Sequence, residues 1–159
     1  MNYKFIPIVA LVIIVGLLTI RCKSEPAPSK GETREIIVYF NRSEPTEIVQ
    51  VEVKRAIAKA VDPATGAINE LLKGPTDSEK ADGLTTAISE DTILNYVKIE
   101  NGIATVDFNE KFDFQMGGSA RVTAIRAQIE KTLFQFPELA IKKVLITVNH
   151  GERPAVLEP

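Results

Sequence analysis

The sequence has 159 residues and a mass of 17.5 kDa, enough for one folded domain and a tail. Apolar residues make up 45% and charged residues 25%, which excludes a collagen-like, disordered or polytopic membrane chain. One Cys and one His exclude a disulfide framework, a Cys-rich zinc site and a relay of several imidazoles, and a net charge of -2 with a pI near 5.5 gives no basic footprint for nucleic acid.

The charge is unevenly divided. Residues 1–34 hold five basic side chains against two acidic ones, and residues 35–159 hold fourteen against nineteen. The first part contains FIPIVALVIIVGLLTI, Phe5 to Ile20, which carries no charge. As a helix it would reach about 24 Å, short of the ~30 Å hydrocarbon core and slightly longer than a usual secretory apolar region. Cys22 follows after Arg21, where a bacterial lipoprotein signal places the residue to be lipidated. Arg21 stands where a signal peptidase needs a small side chain. Residues 1–22 therefore read as a signal peptide, with Cys22 as its candidate lipidation site, or as a single-pass membrane anchor. An incidental thiol is the third reading of Cys22. Both leading readings put the rest of the chain outside the cytoplasm, tethered to a membrane. Residues 23–34, KSEPAPSKGETR, have no apolar periodicity and read as a flexible linker.

Residues 35–159 read as one domain. Glu35 to Phe40 is β-branched and aromatic, and Ile48 to Val53 alternates, so two strands joined as a hairpin are expected. Asp62-Pro63 opens a helix with the stripe Ala64, Ala67, Ile68, Leu71 and Leu72, and Gly74-Pro75 stops it. Residues 76–92 read as a long polar loop pinned by Gly83, Leu84 and Ile88.

Asn101-Gly102 is a two-residue hairpin turn between Ile93–Glu100 and Ile103–Phe108. It sets Glu100 opposite Ile103, Ile99 opposite Ala104, Lys98 opposite Thr105, Val97 opposite Val106 and Tyr96 opposite Asp107. That register sorts apolar from polar residues onto separate faces. Gly117-Gly118-Ser119 starts a second long helix, with Ser119 as its N-cap and Val122, Ile125, Ile129, Leu133 and Phe136 as its apolar stripe. Val144 to Val148 is the last strand. The order β-β-α-β-β-α-β predicts an α+β fold: one mixed or antiparallel sheet with two helices on one face.

Several ordered segments then carry a resemblance. They are Val38-Tyr39-Phe40, Ile68-Asn69-Glu70-Leu71-Leu72-Lys73-Gly74-Pro75-Thr76 and Gly83-Leu84-Thr85-Thr86-Ala87-Ile88. Asn101 to Phe108, Gly117-Gly118-Ser119, Gln128 to Leu133, Phe136-Pro137 and Gly151 follow. In this order they resemble the GerMN domain, the sporulation and spore germination domain of bacterial envelope proteins, over nearly all of residues 35–159. Ser89 stands where that pattern usually has Pro, and Asn149-His150-Gly151 replaces a plain Asp-Gly turn. The resemblance implies an exported, non-catalytic protein, often a lipoprotein or membrane-anchored, that contributes to envelope assemblies. It supplies no catalytic, cofactor-binding or metal-binding residues to carry over.

The residues themselves agree. His150 reads as a solvated turn residue. Asp107, Asn109, Glu110 and Asp113 are rich in oxygen but lack a calcium-loop spacing, and read as solvated polarity at a strand end. The Gly117-Gly118-Ser119 helix start has no following Lys-Ser or Lys-Thr, and Ser119 is in no Gly-x-Ser-x-Gly. Lys142-Lys143 reads as a solvated strand entry. The function expected is an interaction or assembly module in the envelope, meeting a protein partner or itself, with no cofactor and no nucleic acid. The alternative is a small-ligand carrier or hydrolase that uses residues 76–92 as a lid.

Overall fold

The computed structural model describes residues 31–113 and 117–155. The apolar leader, Cys22 and most of the linker lie outside the described residues. Strand β1 (Thr33–Ser43) pairs antiparallel with β2 (Ile48–Ala58) in eleven consecutive pairs, from Thr33 opposite Ala58 to Ser43 opposite Ile48. The pairing reaches back into the stretch read as linker. Ile36, Val38 and Phe40 alternate onto the buried face, where Val51 and Val53 join them from β2.

Helix α1 (Pro63–Leu72) starts as the sequence requires. The Asp62 carboxylate accepts from the Thr65 N–H at 2.8 Å, with Pro63 in the first turn. Ala64, Ala67, Ile68 and Leu71 are buried, and Gly74 turns the chain away at φ 72°. Gly66 lies against β2, where an added Cβ would meet Ile57 Cδ1 at 2.6 Å, so a larger residue cannot enter without moving Ile57.

The segment expected to be a long loop is a pinned strap. Helix α2 (Asp77–Ala81) opens on a reciprocal capping box between Thr76 and Glu79, and β3 (Leu84–Thr85) adds to the open side of β1. Leu84 and Ile88 are buried, as expected of pins. The Glu79 carboxylate also takes both Nη atoms of Arg55 on β2, at 2.7 and 2.6 Å. The paired guanidinium is the main cause that holds the Glu79 carboxyl down at about 2, with burial opposing it and Thr76 assisting. Its folded value lies below its ordinary one, so this pairing stabilises the fold above about pH 4.5 and is lost as pH falls through about 2. Acid unfolding should therefore begin at higher pH in Arg55→Met than in the parent, read by circular dichroism.

Strand β4 (Leu94–Glu100) and β5 (Ile103–Phe108) form the expected hairpin in the expected register, with a shift only between Leu94 and Tyr96. Strand β6 (Lys143–Val148) pairs parallel to β5, and β7 (Arg153–Pro154) pairs antiparallel to β6. Helix α3 (Ser119–Phe134) crosses back to reach them. It buries Val122, Ile125, Ile129 and Leu133, and Phe136 beyond its end is buried too.

The α+β class and the main elements stand as the sequence predicts. The strands, however, form two sheets rather than one, in the orders β2-β1-β3 and β4-β5-β6-β7. The break follows from α3. Its side chains occupy the side of β1 that a single sheet would need for another long strand. The helix start also differs: Gly118, at φ 90°, is the N-cap and Ser119 is the first helical residue, with no side-chain cap. Among the described residues no helix is long and apolar enough to cross a membrane.

Candidate interaction surface

Three of the polar side chains singled out in the sequence, Asp107, Asn109 and Asp113, bond within the fold, while Glu110, Ser119, Lys142, Lys143 and His150 are exposed. Asp107 is the clearest case, and it corrects the reading of solvated strand-end polarity, because it is fully buried. Its Oδ1 accepts from Asn95 Nδ2 and the His150 N–H at 2.8 Å each. Its Oδ2 accepts from Thr147 Oγ1 at 2.6 Å and the Gly151 N–H at 2.7 Å. Burial pushes its carboxyl up, but these four donors to the ionised form outweigh burial and hold it below the ordinary carboxylate range. The donors fix Asn149, His150 and Gly151, three successive residues at φ 54°, 59° and 83°. Gly151 is required there twice over, since a Cβ would also meet Tyr96 Oη at 3.0 Å.

Two other members of the oxygen-rich segment, Asn109 and Asp113, are likewise tied to the fold. Asn109 accepts from the Ile93 N–H and donates to the Asp91 carbonyl. Asp113 takes both Nη atoms of Arg153, while Glu110 is exposed. The side chains converge on loop closure, and among the described residues no cluster of three His, Cys, Asp or Glu is gathered as for a metal. His150 is exposed at its turn, and Lys142 and Lys143 are exposed where β6 begins, as expected.

A polar hub that the sequence reading passed over lies at the side of β1. Gln128, fully buried on α3, donates to the Tyr39 carbonyl at 2.9 Å and accepts from the Ala87 N–H at 3.0 Å and from Asn41 Nδ2 at 3.2 Å. One turn on, Thr132 Oγ1 accepts from the Tyr39 N–H, and beyond it Gln135 bonds both the N–H and the C=O of Ile37. The signal was the spacing of Gln128, Thr132 and Gln135 along one flank of the apolar stripe.

What remains open is surface. A trough runs between the outer side of α3 and the β1–β2 hairpin. One hollow of about 430 Å³ is lined by Ile48, Gln50, Ala120, Thr123 and Ala127 among others. A second of about 310 Å³, lined by Tyr39, Glu52, Phe134 and Gln135, continues it past the shared Gln50 and Lys131. Ile48 is 43% exposed and Phe134 46%. Lys131 lies over the Tyr39 ring at 5.6 Å, and burial together with a hydrogen bond to Glu52 pushes the Tyr39 phenol up. The trough is walled along its length by α3 and carries a half-exposed apolar side chain at each end. The hollow beside the strap, between Lys73 and Glu90, is smaller, at about 220 Å³. The strap bordering it is held by Leu84, Ile88, the Arg55–Glu79 pair and Gln128, so it is not built as a hinged lid.

The model of the family described as "Germane: Sporulation and spore germination" matches residues 37–153. The spore germination protein GerM of Bacillus subtilis (strain 168) is 32% identical over 116 residues, 71% of this chain. This chain spans only 30% of that protein's length. Among solved structures, the tandem GerMN domains of the sporulation protein GerM from Bacillus subtilis are similar at 33% identity and a TM-score of 0.62. That match covers 74% of this chain and 39% of theirs. The first GerMN domain of the same protein, at 20% identity and a TM-score of 0.51, shares the fold over 76% of this chain and 86% of its own.

Proposed function

The chain belongs to the sporulation and spore germination family, and from that premise we propose that it is a non-catalytic interaction module of the bacterial cell envelope. Residues 1–22 direct it to the membrane as a signal peptide, lipidated at Cys22, or as an anchor. Residues 23–32 tether the domain, which begins with β1 at Thr33, on the extracytoplasmic side. The observation that carries this reading is the trough with half-exposed Ile48 and Phe134, set in a domain whose buried Asp107 and Gln128 bond to the fold itself. Apolar anchors ringed by Tyr39, Glu52 and Lys131 are the composition of a protein-binding patch.

A photo-reactive residue placed at Ile48 or Phe134 of the full chain should yield discrete protein adducts in cells, while one placed at Asp82, outside the trough, should not. Equal adduct patterns at all three positions, or none, would contradict the proposal. Mass spectrometry of the mature N-terminus tests the address: an acylated Cys22 supports a lipoprotein and a retained Met1 supports an anchor. An unlipidated start near Lys23 would overturn tethering.

A further inference from the structure

We infer that β2 is a pairing edge whose occupant is β2 of a second copy of this chain, antiparallel and in one register. The inference rests on the interaction-module reading and names a partner surface for it.

The sheet edges are treated unequally. Strands β3 and β7 have two residues each, and β4 is broken by its register shift. Short or irregular edges of these kinds resist pairing with other chains. The open side of β1 is closed by Gln128, Thr132 and Gln135. Strand β2 has none of these features. It holds eleven residues without proline and pairs with β1 without a shift.

The backbone groups on its outer side can be assigned. The N–H and C=O of Ile37 and Tyr39 face α3, so those of Ile36, Val38 and Phe40 face β2. Their cross-strand partners Arg55, Val53 and Val51 therefore bond inward. The groups of Gln50, Glu52, Lys54 and Ala56 point outward. Arg55 Nη1 reaches around to the outward carbonyl of Lys54 at 3.2 Å, which agrees with this assignment and leaves the second lone pair of that carbonyl for an added strand.

Charge selects the occupant and the register. Joining two outward rows sets even-numbered residues opposite even-numbered ones. Glu52 against Glu52, or Lys54 against Lys54, places like charges face to face, which is unfavourable. The register between these two sets Glu52 against the second copy's Lys54 on both sides of a two-fold axis through Val53, and Gln50 against Ala56. Within one copy Lys54 Nζ pairs with Glu35 at 2.9 Å and Glu52 accepts from the Tyr39 hydroxyl at 3.1 Å, both at exposed positions from which each charge can also meet the second copy. In that register the same strand is its own complement, as an isologous contact requires. The axis stands perpendicular to the sheet, so both troughs would open on the same face of the joined sheet.

Sedimentation of the full-length chain in detergent tests this with E52K, K54E and the double swap E52K/K54E. Both positions are exposed, and circular dichroism reports folding. The parent should dimerise, each single swap should weaken the dimer at least about tenfold, and the double swap should restore it to within about threefold. Association through the apolar leader would ignore all three. A monomeric parent, a dimer indifferent to the single swaps, or a double swap that does not restore it would overturn the inference. A photo-reactive residue at Lys54 separates the two readings. Capture of a different protein would sink self-pairing and keep the module, whereas no adduct at Ile48, Lys54 or Phe134 would sink both.

Discussion

Replacing Gln128 with leucine is expected to lower the unfolding free energy by about 3 kcal/mol, although leucine matches glutamine in size and suits a helix better. The reason is what it leaves behind. The Ala87 N–H, the Tyr39 C=O and the Asn41 amide all bond to this one side chain, which is itself fully buried. Each buried polar group left without a partner costs roughly 1–3 kcal/mol, and three of them exceed what an added apolar contact returns. Removing Gln135, which is only half buried and serves a single residue of β1, should cost closer to ~1 kcal/mol. Urea denaturation of both variants checks the ratio. Equal losses would mean that α3 is held by its apolar stripe alone.

The second large effect lies at Asp107. Asparagine has almost the same shape but only one acceptor oxygen. Whichever position takes the NH₂ group, it faces a donor: Asn95 and the His150 N–H on one side, Thr147 and the Gly151 N–H on the other. Asp107→Asn should cost about 2–4 kcal/mol and loosen residues 149–151, seen as faster amide exchange at His150 and Gly151. The pH dependence follows in sign. The folded carboxyl titrates lower than the unfolded one, so its contribution is present above the ordinary carboxylate range and fades as pH falls through it and below. The parent should therefore lose stability into acid more steeply than Asp107→Asn.

Local chemistry explains why some of this fold could be read from the chain. Asn101-Gly102 leaves only two residues between strands, so every pair back to Tyr96 and Asp107 follows without further choice. Asp62-Pro63 and Gly74 mark the limits of α1 through caps that need no distant partner. The Val122 to Phe136 stripe is a matter of spacing. The capping box at Thr76 and Glu79 was also legible, and it would have shown a helix where a loop was expected.

What could not be read depends on distant partners. Asp107 lies on the polar face of its hairpin, and only the turn after β6, more than forty residues on, buries it. Gln128 shares a flank with Thr132 and Gln135, but only β1 placed beside that flank shows what it bonds. The division into two sheets has the same origin, because the residues that end the first sheet are on α3.

Central to this account is that the domain acts by the surface it presents and not by reactive groups. The most direct measurement compares two sets of full-length variants in the native host, at matched protein levels, scored for whatever defect deletion of the gene causes. Ile48→Asp with Phe134→Asp, which put charge on both apolar ends of the trough, should reproduce the deletion defect. His150→Ala and Glu110→Gln, which remove exposed ionisable groups, should behave as the parent. A silent trough pair together with a deletion-like His150→Ala or Glu110→Gln would contradict it.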